Sequence, residues 1–251
     1  MNRPKRIGRE ILHEAEVAST NDIAAAHAAR GAAEGLVIVA DAQTAGRGRQ
    51  GRTWYSPQGS GLYVSVLLRP GTAARLLTLV GGLALCEALR ESTGLPVEIK
   101  WPNDLLAPGG RRKLAGILVE GSAVGRHVEH VVFGYGVNVR AMAYPPEIRD
   151  RATSLEEELG RPVDRDSVLE HTLAALDRRY DDLLEGRAAS ILTRWLELSP
   201  TARGARVRWR SPAGERAGVT DGVDDTGALV IRTDLGVERV ISGEVDLCSW
   251  P

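Results

Sequence analysis

The feature that most narrows the folds open to this chain is a run of glycine and arginine, Gly46-Arg47-Gly48-Arg49-Gln50-Gly51, just after an apolar stretch of strand length at 36–40. A G-x-G-x-x-G following a strand opens a dinucleotide-binding crossover only when a helix follows the third glycine and an acid about 20 residues on meets the ribose. Neither condition holds. Trp54-Tyr55-Ser56-Pro57 breaks any helix, and between Ala42 and Cys86 there is no Asp or Glu. What remains is a cationic loop. Arg47, Arg49, Arg52, Arg69 and Arg75 stand in a stretch with no local counter-charge, inside a chain whose formal charge is −1. Guanidinium forks and glycine backbone N–H groups suit an anion of high charge density such as a triphosphate. The plainer alternative, a solvated basic loop, is weakened by Gln43 and Trp54, which flank the arginines with a hydrogen-bonding amide and a stacking ring.

Around that loop the pattern is α+β. Strands are expected at 11–17, 36–40, 62–68, 97–100, 114–120 and 128–139, with 44–61 and 102–112 as loops. Ser19-Thr20-Asn21 offers N-cap hydroxyls to an alanine-rich helix ending near Gly31. Residues 73–93 read as a helix stopped by Gly94-Leu95-Pro96, and 141–151, with Pro145-Pro146, as a surface loop. Helices at 166–185 and 188–198 follow. Beyond Pro200 the texture changes to five short alternating runs separated by Asp/Gly turns, the pattern of a small SH3-like β-barrel. The expected architecture is a mixed-sheet domain with flanking helices over 1–199, then the barrel over 200–251.

Composition bounds the function. A chain of 251 residues with 43% hydrophobic and 26% charged residues folds as a globular protein rather than staying disordered. Two distant cysteines, Cys86 and Cys248, give neither a disulfide framework nor a cysteine metal site. The basic N-terminus leads into no apolar segment, and the most apolar uncharged run, 76–86, is about half a bilayer span. Reducing cytoplasm is the expected setting. Only three of the 32 basic residues are lysine: Lys5, Lys100 and Lys113. Where arginine fills most sites of positive charge, a lysine such as Lys113, directly after Arg111 and Arg112, hints at a site needing a compact ammonium rather than a wide fork.

Two further clusters carry chemistry. Asn103 and Asp104 close Lys100-Trp101-Pro102-Asn103-Asp104, and adjacent amide and carboxylate oxygens at a strand end suit a hydrated Mg²⁺ or a ribose. An isolated Asn-Asp pair also makes a plain turn. Gly134 and Gly136 end a strand in Gly134-Tyr135-Gly136-Val137-Asn138, permitting close approach of a ligand or marking a bulge. No nucleophile elbow, P-loop or zincin motif is present.

The blocks S-T-N, Q-T-A-G-R-G-R-Q-G-R-T-W, K-W-P-N-D, K-L-A-G-I-L-V-E-G and G-Y-G-V-N-V, in this order, closely resemble the motif series of the biotin protein ligases. That resemblance covers the catalytic domain and, more loosely, the barrel. It implies a two-step reaction in which biotin and MgATP give biotinyl-5′-AMP and pyrophosphate, and the acyl group then passes to one lysine of the biotin carboxyl carrier protein of acetyl-CoA carboxylase. It implies a biotin site of Ser19, Thr20, Asn21, Gln43, Gly46, Arg47, Gly48, Arg49, Lys113, Gly116, Gly134 and Gly136. The implied ATP site is Arg49, Arg52, Trp54, Asn103, Asp104, Lys113 and Asn138, with Lys113, Arg49 and Asp104 catalytic. No side-chain metal cage is expected. The cofactors implied are ATP and Mg²⁺, the protein partner is the carrier, and the state is monomer or homodimer without DNA or membrane binding. About ten residues precede the first strand, too few for the helix-turn-helix of a repressor. Lipoate–protein ligase is the related alternative, against which the G-R-G-R-x-G-R and K-W-P-N-D blocks count. One departure is the 100–113 linker, slightly long at Pro108-Gly109-Gly110.

Overall fold

The computed structural model of the protein describes residues 5–124, 127–211, 214–243 and 245–248. Seven strands form one mixed sheet: β1 (Ile11–Val17), β2 (Val37–Gln43), β3 (Gly61–Leu68), β4 (Glu98–Lys100), β5 (Asp104–Leu106), β6 (Lys113–Val124) and β7 (His127–Asn138), in the order β1-β2-β3-β7-β6-β5-β4. Only β1 and β2 run parallel, joined through α1 (Thr20–Ala29). All eight residues of β3 are buried, because both faces of the sheet centre are covered.

Alternation sorts the side chains. Val64 and Val66 of β3 and Val131, Phe133 and Val137 of β7 face a large core under α2 (Leu77–Thr93) and α4 (Arg165–Leu184). Ile38, Leu67 and Val132 face a small core under α1, built with Ala24 and Ala28. The closeness of α2 to the sheet depends on Gly81, where a Cβ would stand 2.1 Å from the Phe133 ring. Helix α2 ends at Gly94 with φ 77°, in the left-handed region glycine favours. The stretch 71–93 is long and apolar enough to cross a membrane, but 67% of its most apolar window is buried inside the protein, as in a core helix.

Helix α1 has ten residues, about 15 Å of length. It therefore covers only part of its face of the sheet. Beyond its N-terminus the face is floored by Gly116, Gly134 and Gly136, with Gly116 and Gly136 paired across β6 and β7. Asn21 lies close over Gly134, and the Trp54 ring over Gly136 and Gly116.

The chain continues through α3 (Leu155–Leu159), α4 and α5 (Ala188–Glu197) into five antiparallel strands: β8 (Arg203–Ser211), β9 (Gly214–Val223), β10 (Leu229–Thr233), β11 (Gly236–Val240) and β12 (Val245–Leu247). Their order is β11-β10-β9-β8-β12, so β11 and β12 are the sheet edges, and no pairing closes them into a full barrel among the described residues. Val207, Trp209, Ile231 and Val245 join the main core. The Trp101 indole N–H donates to the Gly227 carbonyl at 3.0 Å, fixing the C-terminal sheet against the turn before β5.

Two short elements depart from the sequence reading. β5 lies inside the expected 102–112 loop. Asp104 pairs with Lys100 and Gly116, so three residues between Pro102 and Pro108-Gly109 become a strand because strands on both sides offer partners. α3 was not expected; Ser154 caps it by accepting from the Glu157 N–H. Ser19 does occupy the N-cap of α1, yet its hydroxyl makes no capping bond.

Candidate functional site

One cleft gathers most of the expected residues. It is lined by Ser19, Thr20, Asn21, Gln43, Arg47, Gly48, Arg49, Trp54, Asn103, Lys113, Gly116, Ile117, Leu118, Gly134, Tyr135 and Gly136. Gly46, Arg52, Asp104 and Asn138 stand outside the lining. Gly46 backs it, since a Cβ there would come within 2.7 Å of both the Trp54 carbonyl and the Ser56 hydroxyl.

At the α1 end the site is rich in hydrogen-bond acceptors. The Gln43 Oε1 accepts from the Thr20 backbone N–H at 2.9 Å and from its hydroxyl at 3.2 Å. The Ser65 hydroxyl lies 2.8 Å from Thr20 Oγ1 and 2.5 Å from Asn21 Oδ1. Two hydroxyl protons therefore serve three short oxygen–oxygen contacts, leaving lone pairs for donors brought by a ligand. Thr20, Asn21 and Ser65 are at most 5% exposed, so those lone pairs are costly to leave unmet.

The arginine loop is held by its own backbone and by acids remote in sequence. Gly48 N–H donates to Arg52 O, Arg52 N–H to Arg49 O, and Trp54 N–H to Gly46 O. Gln50, at φ 57°, makes the left-handed turn at its tip. Arg47 forms a two-pronged pair with Asp22 at 2.9 and 2.7 Å and reaches Glu120 at 3.1 Å, while Asn21 Nδ2 donates to the same Glu120 oxygen at 2.6 Å. The Arg47 hydrogen bond holds the Asp22 carboxyl below its ordinary value, and Asp22 in turn raises Arg47. The stretch without local counter-charge thus finds partners through tertiary structure. Arg49 donates to Asn103 Oδ1 at 3.2 Å.

At the other end, Lys113 Nζ lies 2.6 Å from Asp104 Oδ1, an ion pair rather than an aligned hydrogen bond, and 5.3 Å from the centre of the Trp54 ring. The indole rests on the glycine floor: a Cβ at Gly136 would stand 2.3 Å from Trp54 Nε1, and one at Gly116 2.9 Å from the Lys113 side chain. Trp54 Nε1–H is buried without an acceptor. Asn138 turns away from the cleft, donating to Thr153 O at 2.9 Å and Lys113 O at 3.4 Å, so it holds the backbone that carries the lysine. The loop after β7 does the same: Lys113 N–H donates to Arg151 O and Thr153 N–H to Lys113 O.

Sequence reasoning missed Asp22, Ser65, Ile117, Leu118, Glu120 and Tyr135. Glu120 was accessible by period 2 from Gly116, and Ser65 by its polarity inside an apolar strand. Asp22 carried no signal of its own. As for a cation, no three His, Cys, Asp or Glu side chains converge among the described residues. Asp104 and Asn103 are hard oxygen donors beside Lys113 and Arg49, and each already faces one of those cations. They fit a Mg²⁺ carried mainly by substrate phosphates and waters rather than by a protein cage.

The family model described as Biotin/lipoate A/B protein ligase family matches residues 15–138, and the model for the Biotin protein ligase C terminal domain matches 204–247. The chain is 35% identical over 246 residues to the bifunctional ligase/repressor BirA of Bacillus subtilis, covering 96% of this chain and 75% of that protein. It is 35% identical to the biotin–[acetyl-CoA-carboxylase] ligase of Mycobacterium tuberculosis, covering 95% of this chain and 88% of that one. The biotin protein ligase of Aquifex aeolicus, solved with biotin and ATP, superposes with a TM-score of 0.79 at 32% identity, covering 96% of this chain and 99% of that one.

Proposed function

Since the chain belongs to the biotin protein ligase family, we propose that it biotinylates one lysine of the biotin carboxyl carrier protein of acetyl-CoA carboxylase through biotinyl-5′-AMP. The observation that carries this reading is the polarity of the cleft, acceptor-rich at α1 and cationic around Arg47, Arg49 and Lys113, with the glycine floor between. A ureido ring has two N–H donors and a carbonyl. The free lone pairs on Thr20, Asn21 and Ser65 suit the donors, and the hydroxyl of Ser19 suits the carbonyl. The valerate chain passes along the cleft beside Gly134 and Gly136, whose missing side chains let Asn21 and Trp54 lie close to the sheet.

In the first step a carboxylate oxygen attacks the α-phosphorus of ATP. The new C–O–P bond forms as the bond to the β-phosphate oxygen breaks, and its electron pair leaves on pyrophosphate. Two like charges about 4 Å apart repel by about 4 kcal/mol at a surface-like dielectric. Lys113 and Arg49 offset this repulsion and stabilise charge developing on the phosphoryl oxygens. In the second step a neutral lysine amine attacks the acyl carbon, AMP departs, and the amine proton is lost, with Asp104 beside Lys113 as the acceptor. Asp104 and Asn103 would be the protein donors to a Mg²⁺ held mainly by the substrate phosphates, which would supply neutralisation of their charge. Trp54 and Asn103 serve the nucleotide. Residues 1–199 form the catalytic domain and 200–251 the C-terminal one, in cytoplasm.

The test is incubation of the protein with biotin and MgATP, then with an isolated carrier domain. Mass spectrometry is expected to find biotinyl-AMP in the first stage and one added biotinyl group on the carrier in the second. Lipoate in place of biotin is expected to give neither, and adduct formation with lipoate alone would overturn the reading.

A further inference from the structure

Glu120 stands outside the lining of the cleft, yet it bonds two side chains that line it, Asn21 and Arg47. The strand register explains how. On the face of the sheet that α1 covers, Ser65, Gly134 and Leu118 form one cross-strand row over β3, β7 and β6, and Leu67, Val132 and Glu120 form the next. The Asn21 amide comes down from the first turn of α1 and lies across Gly134, with Ser65 at one end and Glu120 at the other. Asn21 is 5% exposed, and a Cβ at Gly134 would stand 2.2 Å from its Oδ1. Only glycine leaves the amide its place.

An amide has a donor end and an acceptor end, and a hydroxyl satisfies either. The 2.5 Å contact with Ser65 therefore leaves both orientations of Asn21 open. Glu120 removes the choice. An ionised carboxylate only accepts, so the Asn21 atom 2.6 Å from Glu120 Oε2 is Nδ2, and Oδ1 is turned to Ser65. Ser65 then donates to Asn21, which leaves the lone pairs of Thr20 Oγ1 open. With the amide reversed, Asn21 would donate to Ser65, Ser65 to Thr20 and Thr20 to Gln43, and the amide would offer the cleft an N–H in place of an oxygen. Resting on the proposed ligase chemistry, we infer that Glu120 determines specificity at the α1 end: through Asn21 it makes that end an acceptor, and so selects a ring that carries N–H donors, as a ureido does. It is a positioning residue that touches no ligand itself. Its bond from Arg47 does not carry the selection, since Arg47 also holds Asp22 by two prongs.

The experiment uses the full chain, biotin, and the two carbamate analogues in which oxygen replaces one or the other ureido N–H. The Glu120 side chain is 43% exposed, so Glu120→Gln is expected to leave the fold intact. By calorimetry, the wild type is expected to bind the weaker carbamate about a hundredfold less tightly than biotin, because a buried acceptor loses its donor. In Glu120→Gln, biotin binding is expected to weaken about tenfold and the preference over that carbamate to shrink by a similar factor, since the freed amide can turn and donate to the ring oxygen. KM for biotin in adenylation is expected to rise with kcat little changed. In the ligand-free protein, the Asn21 side-chain amide protons are expected to move upfield in the NMR spectrum of Glu120→Gln as the charge-assisted bond is lost. Unmoved amide protons overturn the assignment, and so does equal weakening of biotin and both carbamates. Asp22→Asn loosens Arg47 without touching Asn21; the same loss of preference in that variant assigns the selection to the arginine loop and also overturns it. Wild-type protein that shows the amide shift and the preference for biotin but forms no biotinyl-AMP refutes the ligase reading and leaves the role of Glu120 standing.

Discussion

Lys113 Nζ is paired to Asp104 at 2.6 Å and backed by the Trp54 ring, and the proposed reaction brings a carboxylate and an α-phosphate together beside it. A Cβ at Gly116 would press on the lysine's Cε, so the sheet beneath this side chain has room for its slender stem only because residue 116 is glycine. Lys113→Ala is expected to slow adenylate formation by about 10²–10³, the cost of one preorganised donor. Lys113→Arg is expected to rescue little, because the guanidinium is wide and planar; pyrophosphate release close to wild type in that variant would refute the argument for a compact ammonium. Asp104 has the complementary task. An unperturbed lysine has a pKa of about 10.4, so the carrier's amine is almost wholly protonated at neutral pH and transfer is expected to climb steeply from about pH 7 to 9. Asp104→Asn is expected to slow single-turnover transfer from synthetic biotinyl-AMP as well as adenylation. Wild-type transfer in that variant would confine Asp104 to the first step.

At the level of elements, the loop between β2 and β3 is tied to α1 and β6 by Arg47, through Asp22 and Glu120. Its arginines look uncompensated along the chain because the acids that meet Arg47 lie 25 and 73 residues away. The pair has a pH sign. The Arg47 hydrogen bond lowers the Asp22 carboxyl from its ordinary 3.8, so the tie is complete above about pH 4 and is lost as pH falls through the lowered value. Carboxyl-carbon NMR is expected to place the Asp22 midpoint below 3.8 in the wild type and to return it toward 3.8 in Arg47→Ala. An unmoved midpoint would mean that Arg47 is not its partner in solution.

For the whole molecule, the C-terminal sheet is a continuation of the main core rather than a tethered appendage. Val207, Trp209 and Ile231 share the cluster under α2, and Trp101, 4% exposed, bonds across to Gly227. Trp101→Phe leaves that carbonyl buried without its donor, at a cost of about 1–3 kcal/mol. Urea unfolding is expected to keep a single transition with an unchanged slope and a lower midpoint. Two separate transitions would show that the parts unfold independently.

The sequence by itself determined the local and the periodic. The strand at 62–68, the helix stop at Gly94, the five short C-terminal strands, and the motif blocks with their candidate residues were legible because each depends on neighbours along the chain or on alternation. Tertiary structure alone decided what depends on encounters between distant segments. It made β5 a strand by setting Asp104 between β4 and β6, found Asp22 and Glu120 for Arg47, and turned Asn138 from the cleft onto the backbone of Lys113. It also laid the Asn21 amide between Ser65 and Glu120. The physical reason is common to all of these: a hydrogen bond or ion pair is specified by distance in space, and a sequence encodes that distance only through the packing of everything between.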